Sequence, residues 1–357
     1  MGQRDFRLRV WARGPAGAAL LCALACGMAR AEDEEPAVPP DFVEITPKQE
    51  EVLGKAWAWL AKQQGADGSW NADGYMGTYR VAMTSLAGLA LLAGGNCPGR
   101  GKYGANVVRA VEFVLRSQGN DGLFTSPNEG YQMYGHGFGM TFLAETYGTD
   151  VGMELNERIK RALALAVKKT QQSQSFRGGW YYSPNSGSDE GSVTVTQVQA
   201  LRSVRNVGIE VPEKVIADAI GYVTQCQNRD GGIRYSVESG QMSSVALTAA
   251  GVEVFLMAGR YKAKQAERAI EYLKKNLDPE RMVGGHWFYT NLYGSQAMFH
   301  IGGEPWARYF ERVRNSLFAS QRSDGSWQGD QVGSTYGTAI AALILAVPYR
   351  YLPVFQK

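Results

Sequence analysis

Gln64-Gly65-Ala66-Asp67-Gly68-Ser69-Trp70 and Gln321-Arg322-Ser323-Asp324-Gly325-Ser326-Trp327 are two copies of one phrase. It reads Gln, three residues, Gly, one residue, aromatic. Gln118–Gly122–Phe124 and Gln174–Gly178–Trp180 repeat it. Gln227–Gly231–Ile233 swaps the aromatic for Ile, and Arg281–Gly285–Trp287 loses the Gln. The six glycines lie 54, 56, 53, 54 and 40 residues apart. A fixed period of that size marks a repeat architecture, which sets the fold before any single residue is interpreted.

Each copy lies between two helical patterns of different character. Upstream segments such as Leu155 to Thr170 carry apolar residues at helical spacing with Lys, Arg and Glu between them. Downstream segments such as Ser243 to Met257 and Thr338 to Val347 are apolar nearly all round, so protein must enclose them. Six outer helices are expected near 47–63, 104–117, 153–171, 212–226, 263–276 and 304–320. Six inner helices are expected near 77–93, 134–147, 192–206, 241–258, 289–301 and 335–347. Sustained alternation with hairpin turns is lacking, so the fold class is all-α. In the phrase itself, the Gln amide can bridge the last carbonyls of the outer helix to N–H groups of the next segment. The Asp-Gly pairs supply turn chemistry and the aromatic pins the turn. The phrase therefore reads as a structural clasp rather than as catalytic machinery.

The ends bound the domain. Residues 1–31 carry Arg4, Arg7, Arg9 and Arg13, then an apolar run from Ala16 to Met28, then Ala29-Arg30-Ala31. That is the pattern of a signal peptide cleaved near Ala31, which predicts export to the periplasm or beyond. An uncleaved anchor is the alternative. Residues 32–45 are acidic and Pro-rich and read as a linker, leaving 46–357 as one domain. Thr46-Pro47-Lys48-Gln49 opens it with a capping box. Without the leader the chain holds 32 basic and 33 acidic residues, so its charge argues against a nucleic-acid partner. Cys97 and Cys226 fall in repeats that would face each other across a ring, so both are expected as free thiols.

The in-register Gln-x-x-x-Gly-x-Trp-like copies, each followed by an apolar helix, resemble the prenyltransferase and squalene-cyclase repeat superfamily over about residues 46–350. The resemblance implies an (α/α)6 toroid whose ligands enter where the inner helices begin. The family's catalytic motifs do not carry over. Cyclases of this type use Asp-x-Asp-Asp; here Glu190-Gly191-Ser192-Val193 is the nearest stretch, with Ser192 in the acid's place. An alcohol cannot supply the strong acid that alkene protonation requires. The prenyltransferase Asp-x-Cys zinc pair and the thioester Cys-Gly-Glu-Gln are also absent, so no metal and no cofactor is expected.

In such a toroid the inner-helix N-termini ring one mouth, where unpaired N–H groups favour anionic or oxygen-rich ligands. Ten of the 18 Tyr fall in or beside the segments that feed it: Tyr75, Tyr79, Tyr131, Tyr134, Tyr181, Tyr182, Tyr235, Tyr289, Tyr293 and Tyr336. Trp180, Trp287 and Phe288 join them. Such a mouth can stabilise a cation on ring faces, stack sugars or flat apolar ligands, or be packed loop. The candidate ligand-binding residues are Tyr79, Tyr134, Trp180, Tyr181, His286, Trp287, Tyr289, Tyr293 and Tyr336. The candidate catalytic residues are His136, Asp189 and Glu190, because repeats two and three are neighbours and a His beside a carboxylate makes an acid–base pair. For His136 the competing role is a bonded helix-start residue; for the two acids it is capping. Gly135-His136-Gly137 follows no strand, so it is no dinucleotide loop.

The leading expectation is an exported toroid that binds an apolar or isoprenoid-like ligand in an aromatic-lined central cavity, with diverged or absent catalysis. Peripheral membrane contact is compatible with it. The alternatives are a carbohydrate-active (α/α)6 hydrolase or lyase acting on a glycan, for which two separated carboxylates are wanted, and a non-enzymatic scaffold.

Overall fold

The computed structural model describes residues 43–74, 77–149, 152–260, 262–281 and 286–355. The expected leader, most of the linker, Tyr75 and Gly285 lie outside the described residues. The outer helices are α1 (Pro47–Gln63), α3 (Gly104–Arg116), α5 (Met153–Gln172), α7 (Glu213–Gln225), α9 (Lys264–Asn276) and α11 (Gly303–Ser320). The inner helices are α2 (Arg80–Ala93), α4 (Gln132–Thr146), α6 (Gly191–Asn206), α8 (Val245–Met257), α10 (Trp287–Ile301) and α12 (Ser334–Ala346). Each inner helix packs on the next, and α12 packs back on α2, so the six close a ring. The described residues hold no named strand, only isolated bridges. This is an (α/α)6 toroid.

The inner helices are sheathed on all sides, as their lack of a polar face requires: every residue of α2 after Arg80 is buried. The outer helices bury one stripe, such as Ile159, Ala162, Leu163, Ala166 and Val167 of α5. Cys97 and Cys226 are free thiols.

The phrase proves to be a staple between repeats. Each Gln amide donates to two carbonyls, its own glycine's and one in the next outer helix. Gln64 reaches Gly68 and Asn106, each at 2.9 Å. Gln118 reaches Ala162 at 2.8 Å, Gln174 reaches Val215 at 2.9 Å, and Gln227 reaches Gln265 at 2.8 Å. Gln321 reaches Val52 of α1 at 2.9 Å, which shuts the ring. Both amide hydrogens thus go forward to carbonyls, not to N–H groups, because only carbonyls can accept them. The glycine is required twice over. Gly178 has φ of 96°, and a Cβ there would meet the Asp218 carbonyl oxygen of α7 at 2.2 Å. The tryptophans tie down the same turn, with the Nε1 of Trp70, Trp180 and Trp327 donating to Leu60, Thr170 and Leu317 carbonyls at 2.8, 2.8 and 2.9 Å.

The start of α1 departs from the expected capping box. Thr46 Oγ1 accepts the Gln49 N–H at 3.2 Å, but the Gln49 amide donates to the Leu345 carbonyl at 2.8 Å. The orphan carbonyls at the end of α12 claim it instead. Beyond α12, residues 347–355 cross the mouth at the C-terminal ends of the inner helices. Tyr349 meets Trp57 edge-on, Leu352 and Val354 are buried, and 353–355 pack on α4 and α6. The Val354 N–H donates to Glu145 at 3.3 Å.

Candidate functional site

The site is built at the opposite mouth, by the segments between each clasp and its inner helix. They hold one another around the rim. Gly74 N–H donates to Val332 at 2.9 Å, Gly130 to Thr78 at 3.1 Å, Met133 to Tyr182 at 3.1 Å, and Gly191 to Tyr235 at 2.9 Å.

The inner-helix N-termini are already occupied. Glu129 Oε1 accepts the Val81 and Ala82 N–H groups of α2 at 3.0 and 3.3 Å. Glu190 accepts the Ser192 N–H at 2.9 Å and the Val193 N–H, capping α6. Asp73 accepts the Thr335 N–H of α12 at 3.3 Å, and Asp330 faces the Trp287 and Phe288 N–H groups of α10. Ser244 caps α8. At α2, α6, α10 and α12 the expected attraction for anions is lost, since carboxylates have taken the donors and dipole ends that an anion would use. Helix α4 differs, having no side-chain cap; it starts at Tyr131, whose φ of 43° and ψ of 56° are left-handed.

Tyr131 leads the tyrosine cluster. It is 44% exposed, and its ring lies 4.3 Å from that of Tyr182 and 6.1 Å from that of Tyr79. Tyr182 in turn lies 4.7 Å from Tyr181 and 6.0 Å from Tyr134, and its hydroxyl is 2.7 Å from that of Tyr235. A hollow of about 330 Å³ opens here, lined by Glu129, Tyr131, Gln132, Tyr181, Tyr182 and Ser183. Glu129 was not singled out by sequence. The signal was there in Asn128-Glu129-Gly130-Tyr131, an acid in a post-clasp segment, but its capping partner is 48 residues upstream.

The structure brings Glu190 and Asp189 to this mouth and keeps His136 apart from them. Glu190 is fully buried, and both its oxygens take the Ser192 hydroxyl, at 2.8 and 2.7 Å. Burial pushes its carboxyl up to about 6, against the pull of those hydrogen bonds. The Tyr134 hydroxyl lies 2.5 Å from Ser192 Oγ. Asp189 accepts the Ser175 hydroxyl at 2.8 Å, with Arg177 at 3.7 Å. Burial raises Glu129, whose other oxygen takes the Ser126 N–H and hydroxyl at 2.9 and 2.6 Å.

His136 has a place in the clasp. Its Nδ1 accepts the Phe124 N–H at 3.2 Å, and its Nε2 lies 2.9 Å from the Thr170 hydroxyl. In four other repeats a Thr hydroxyl accepts that same N–H: Thr84 from Trp70, Thr194 from Trp180, Thr248 from Ile233 and Thr338 from Trp327. His136 stands where the ring otherwise keeps Thr. Burial lowers its imidazole to about 4, so it is neutral at pH 7.

The remaining candidates divide by depth. Trp180 is fully buried under its clasp, and the Trp287 indole donates to the Pro279 carbonyl at 2.8 Å. His286 is exposed at the start of α10. Tyr289 is half-buried with its ring 4.9 Å from Tyr293, and Tyr336 lies edge-on to Phe288 at 6.2 Å. Below them the lumen is spanned by polar contacts between α6 and α10, which are separated in the ring by α8. Tyr293 and Thr196 hydroxyls are 3.3 Å apart, and Gln199 donates to Gln296 at 2.7 Å. Among the described residues no group of three or more His, Cys, Asp or Glu could hold a metal ion. No described helix is long and apolar enough to cross a membrane.

Among the described residues, twelve helices in two concentric rings, clasped through Gln, Gly and Trp, form an (α/α)6 toroid. The type II terpene cyclase MstE from Scytonema matches it with a TM-score of 0.60 at 15% identity, over 86% of this chain and 100% of that one. The GH76A α-1,6-mannanase from Salegentibacter sp. HEL1_6 matches with a TM-score of 0.60 at 9% identity, over 85% of this chain and 99% of that one. An inactive variant of that mannanase in complex with α-1,6-mannotriose gives 0.59 at 10% identity, over 84% and 98%. No family model and no curated protein matches the chain. A cyclase and a mannanase share this fold, so the fold does not choose the chemistry.

Proposed function

We propose that the chain is an exported toroid that binds a carbohydrate at its tyrosine-lined mouth without cleaving it. The observation that carries this reading is Tyr131, a bulky residue in the left-handed region and 44% exposed beside the hollow. Such a conformation costs about 1–2 kcal/mol, and strain of this kind clusters at ligand clamps. Stacked phenols offer flat faces to sugar rings and hydroxyls to orient them. The Gln199–Gln296 and Thr196–Tyr293 contacts weigh against an isoprenoid-like ligand, since a long apolar chain entering the lumen would have to break them. Cleavage at the tyrosine cluster is left out because hydrolysis needs free carboxylates, whereas Glu129, which lines the hollow, and Glu190, joined through Ser192 to Tyr134, spend both oxygens on N–H and hydroxyl donors. The mannotriose complex of the GH76A variant supports a glycan as ligand on this fold. Export rests on the basic leader and apolar run of residues 1–31.

Calorimetric titration of the mature protein with α-1,6-mannotriose and, separately, with farnesol tests the reading. Mannotriose binding that Tyr131→Ala abolishes while the variant stays folded is the expected result. Farnesol binding without mannotriose binding overturns it and restores the isoprenoid-like ligand.

A further inference from the structure

Three groups at the mouth form a continuous chain of hydrogen bonds. Tyr134 Oη lies 2.5 Å from Ser192 Oγ, and Ser192 Oγ lies 2.8 and 2.7 Å from the two Glu190 oxygens. Ser192 has one hydroxyl proton. An ionised carboxylate accepts hydrogen bonds and cannot donate them. The Ser192 proton therefore goes to Glu190, and the short contact to Tyr134 is satisfied only if the phenol donates to Ser192. With its proton committed inward, the Tyr134 oxygen is left with lone pairs to offer a ligand hydroxyl that reaches it past Tyr182. Its ring is half-buried, beside Tyr182 of the hollow.

We propose that Ser192 and Glu190 set the hydrogen-bond polarity of Tyr134, making it an acceptor for a ligand hydroxyl when Glu190 is ionised and a donor when Glu190 is protonated. This rests on the carbohydrate reading of the mouth and names the group that anchors the ligand. The switch breaks no covalent bond. A proton from solvent adds to Glu190, the Glu190 O–H turns to Ser192, the Ser192 O–H turns to Tyr134, and the Tyr134 O–H turns outward. Tyr134 contacts the ligand; Ser192 and Glu190 are positioning residues.

The groups that face Glu190 leave it as the one that changes charge along this chain near neutrality. Its neighbour Asp189 is tied to Ser175 and Arg177. Tyr134 on α4, Tyr289 and Tyr293 on α10, Tyr222 and Cys226 at the end of α7, and Tyr182 and Tyr235 on the rim all feel its charge. Burial first, and that charge second or later, raise every one of them, so they stay neutral while Glu190 titrates near 6. Burial raises Glu129 in the hollow too, but its bonds go to Ser126, Val81 and Ala82, and Ser192→Ala leaves them intact.

Two measurements test this. The first needs no ligand: infrared difference spectra between pH 7.5 and 5 on wild type, Glu190→Gln, Ser192→Ala and Tyr134→Phe. The protonated-carboxyl band that Glu190→Gln deletes should shift in both Ser192→Ala and Tyr134→Phe. A band unmoved by Tyr134→Phe overturns the chain. The second is mannotriose affinity against pH. Wild type should change about tenfold across the Glu190 titration, the size expected of one hydrogen bond to a charge-coupled group. Ser192→Ala, which keeps both backbone N–H caps on Glu190, should lose that dependence. An unchanged profile in Ser192→Ala overturns the role in recognition. No mannotriose binding by wild type, with the infrared shifts present, sinks the carbohydrate reading and leaves the chain standing.

Discussion

Replacing Gly178 by Ala separates two costs that the clasp glycines combine. The first is backbone strain. Gly178 has φ of 96° and Gly208 has φ of 80°, so an L side chain at either position costs about 1–2 kcal/mol. The second is collision. A Cβ at Gly208 meets nothing within 4 Å, whereas at Gly178 it meets the Asp218 carbonyl oxygen at 2.2 Å and its carbon at 2.5 Å. These are backbone atoms of α7, so relief requires the helix to move. Movement stretches the Gln174 bonds to Gly178 at 2.8 Å and Val215 at 2.9 Å. Two such bonds contribute about 1 kcal/mol each, and forced repacking adds about 1–3 kcal/mol. Gly178→Ala should therefore destabilise by about 3–5 kcal/mol more than Gly208→Ala. At about 2 °C per kcal/mol or more, that separates the melting temperatures by about 6 °C or more. Differential scanning calorimetry on the two variants decides it. Equal shifts would refute the claim that the glycine exists to let α7 approach.

Gln321→Ala should lower the melting temperature and leave mannotriose titration intact, since the side chain staples α1 and sits outside the hollow. Glu145, pushed up to about 7 by burial, contributes stability that is present below its ordinary 4.5 and lost as pH rises through 7. Glu145→Gln should therefore melt progressively higher than wild type as pH is raised from 5 to 8, and a constant gap would refute this. His136 carries the opposite sign: lowered to about 4, it contributes stability present above 6.5 and lost as pH falls toward 4. His136→Gln should flatten that acid limb in pH-dependent melting. Tyr131→Asn should relieve left-handed strain by about 1 kcal/mol in urea unfolding while abolishing mannotriose binding.

The helix pattern was legible because it is local. Apolar residues at 3.6-residue spacing separated outer from inner helices, and the Asp-Gly turns located the joints. The direction of the Gln amides was not, because their second acceptors lie 38 to 44 residues away at four seams and 269 at the fifth. The role of His136 was obscured by its chemistry. Imidazole in a glycine-rich helix start invites an acid–base reading, whereas the slot asks only for an acceptor to the Phe124 N–H. Aligning the repeats on the clasp would not have set His136 against the Thr residues either, because the acceptor follows by 12 positions here and by 14, 14, 15 and 11 at Thr84, Thr194, Thr248 and Thr338. The tyrosine mouth was legible as composition. Which phenols are sealed and which face the hollow depends on rim contacts between repeats, which no single segment encodes.

The Gln321–Val52 staple has a topological consequence. The seam between the last repeat and the first carries the same donor and the same kind of acceptor as four of the five covalently continuous seams. Peptide continuity is therefore not what defines the ring's beginning. A circularly permuted chain, joined across the old termini and opened between α6 and α7, keeps every staple. It should rebuild the same toroid, with only the order of helix appearance during synthesis changed.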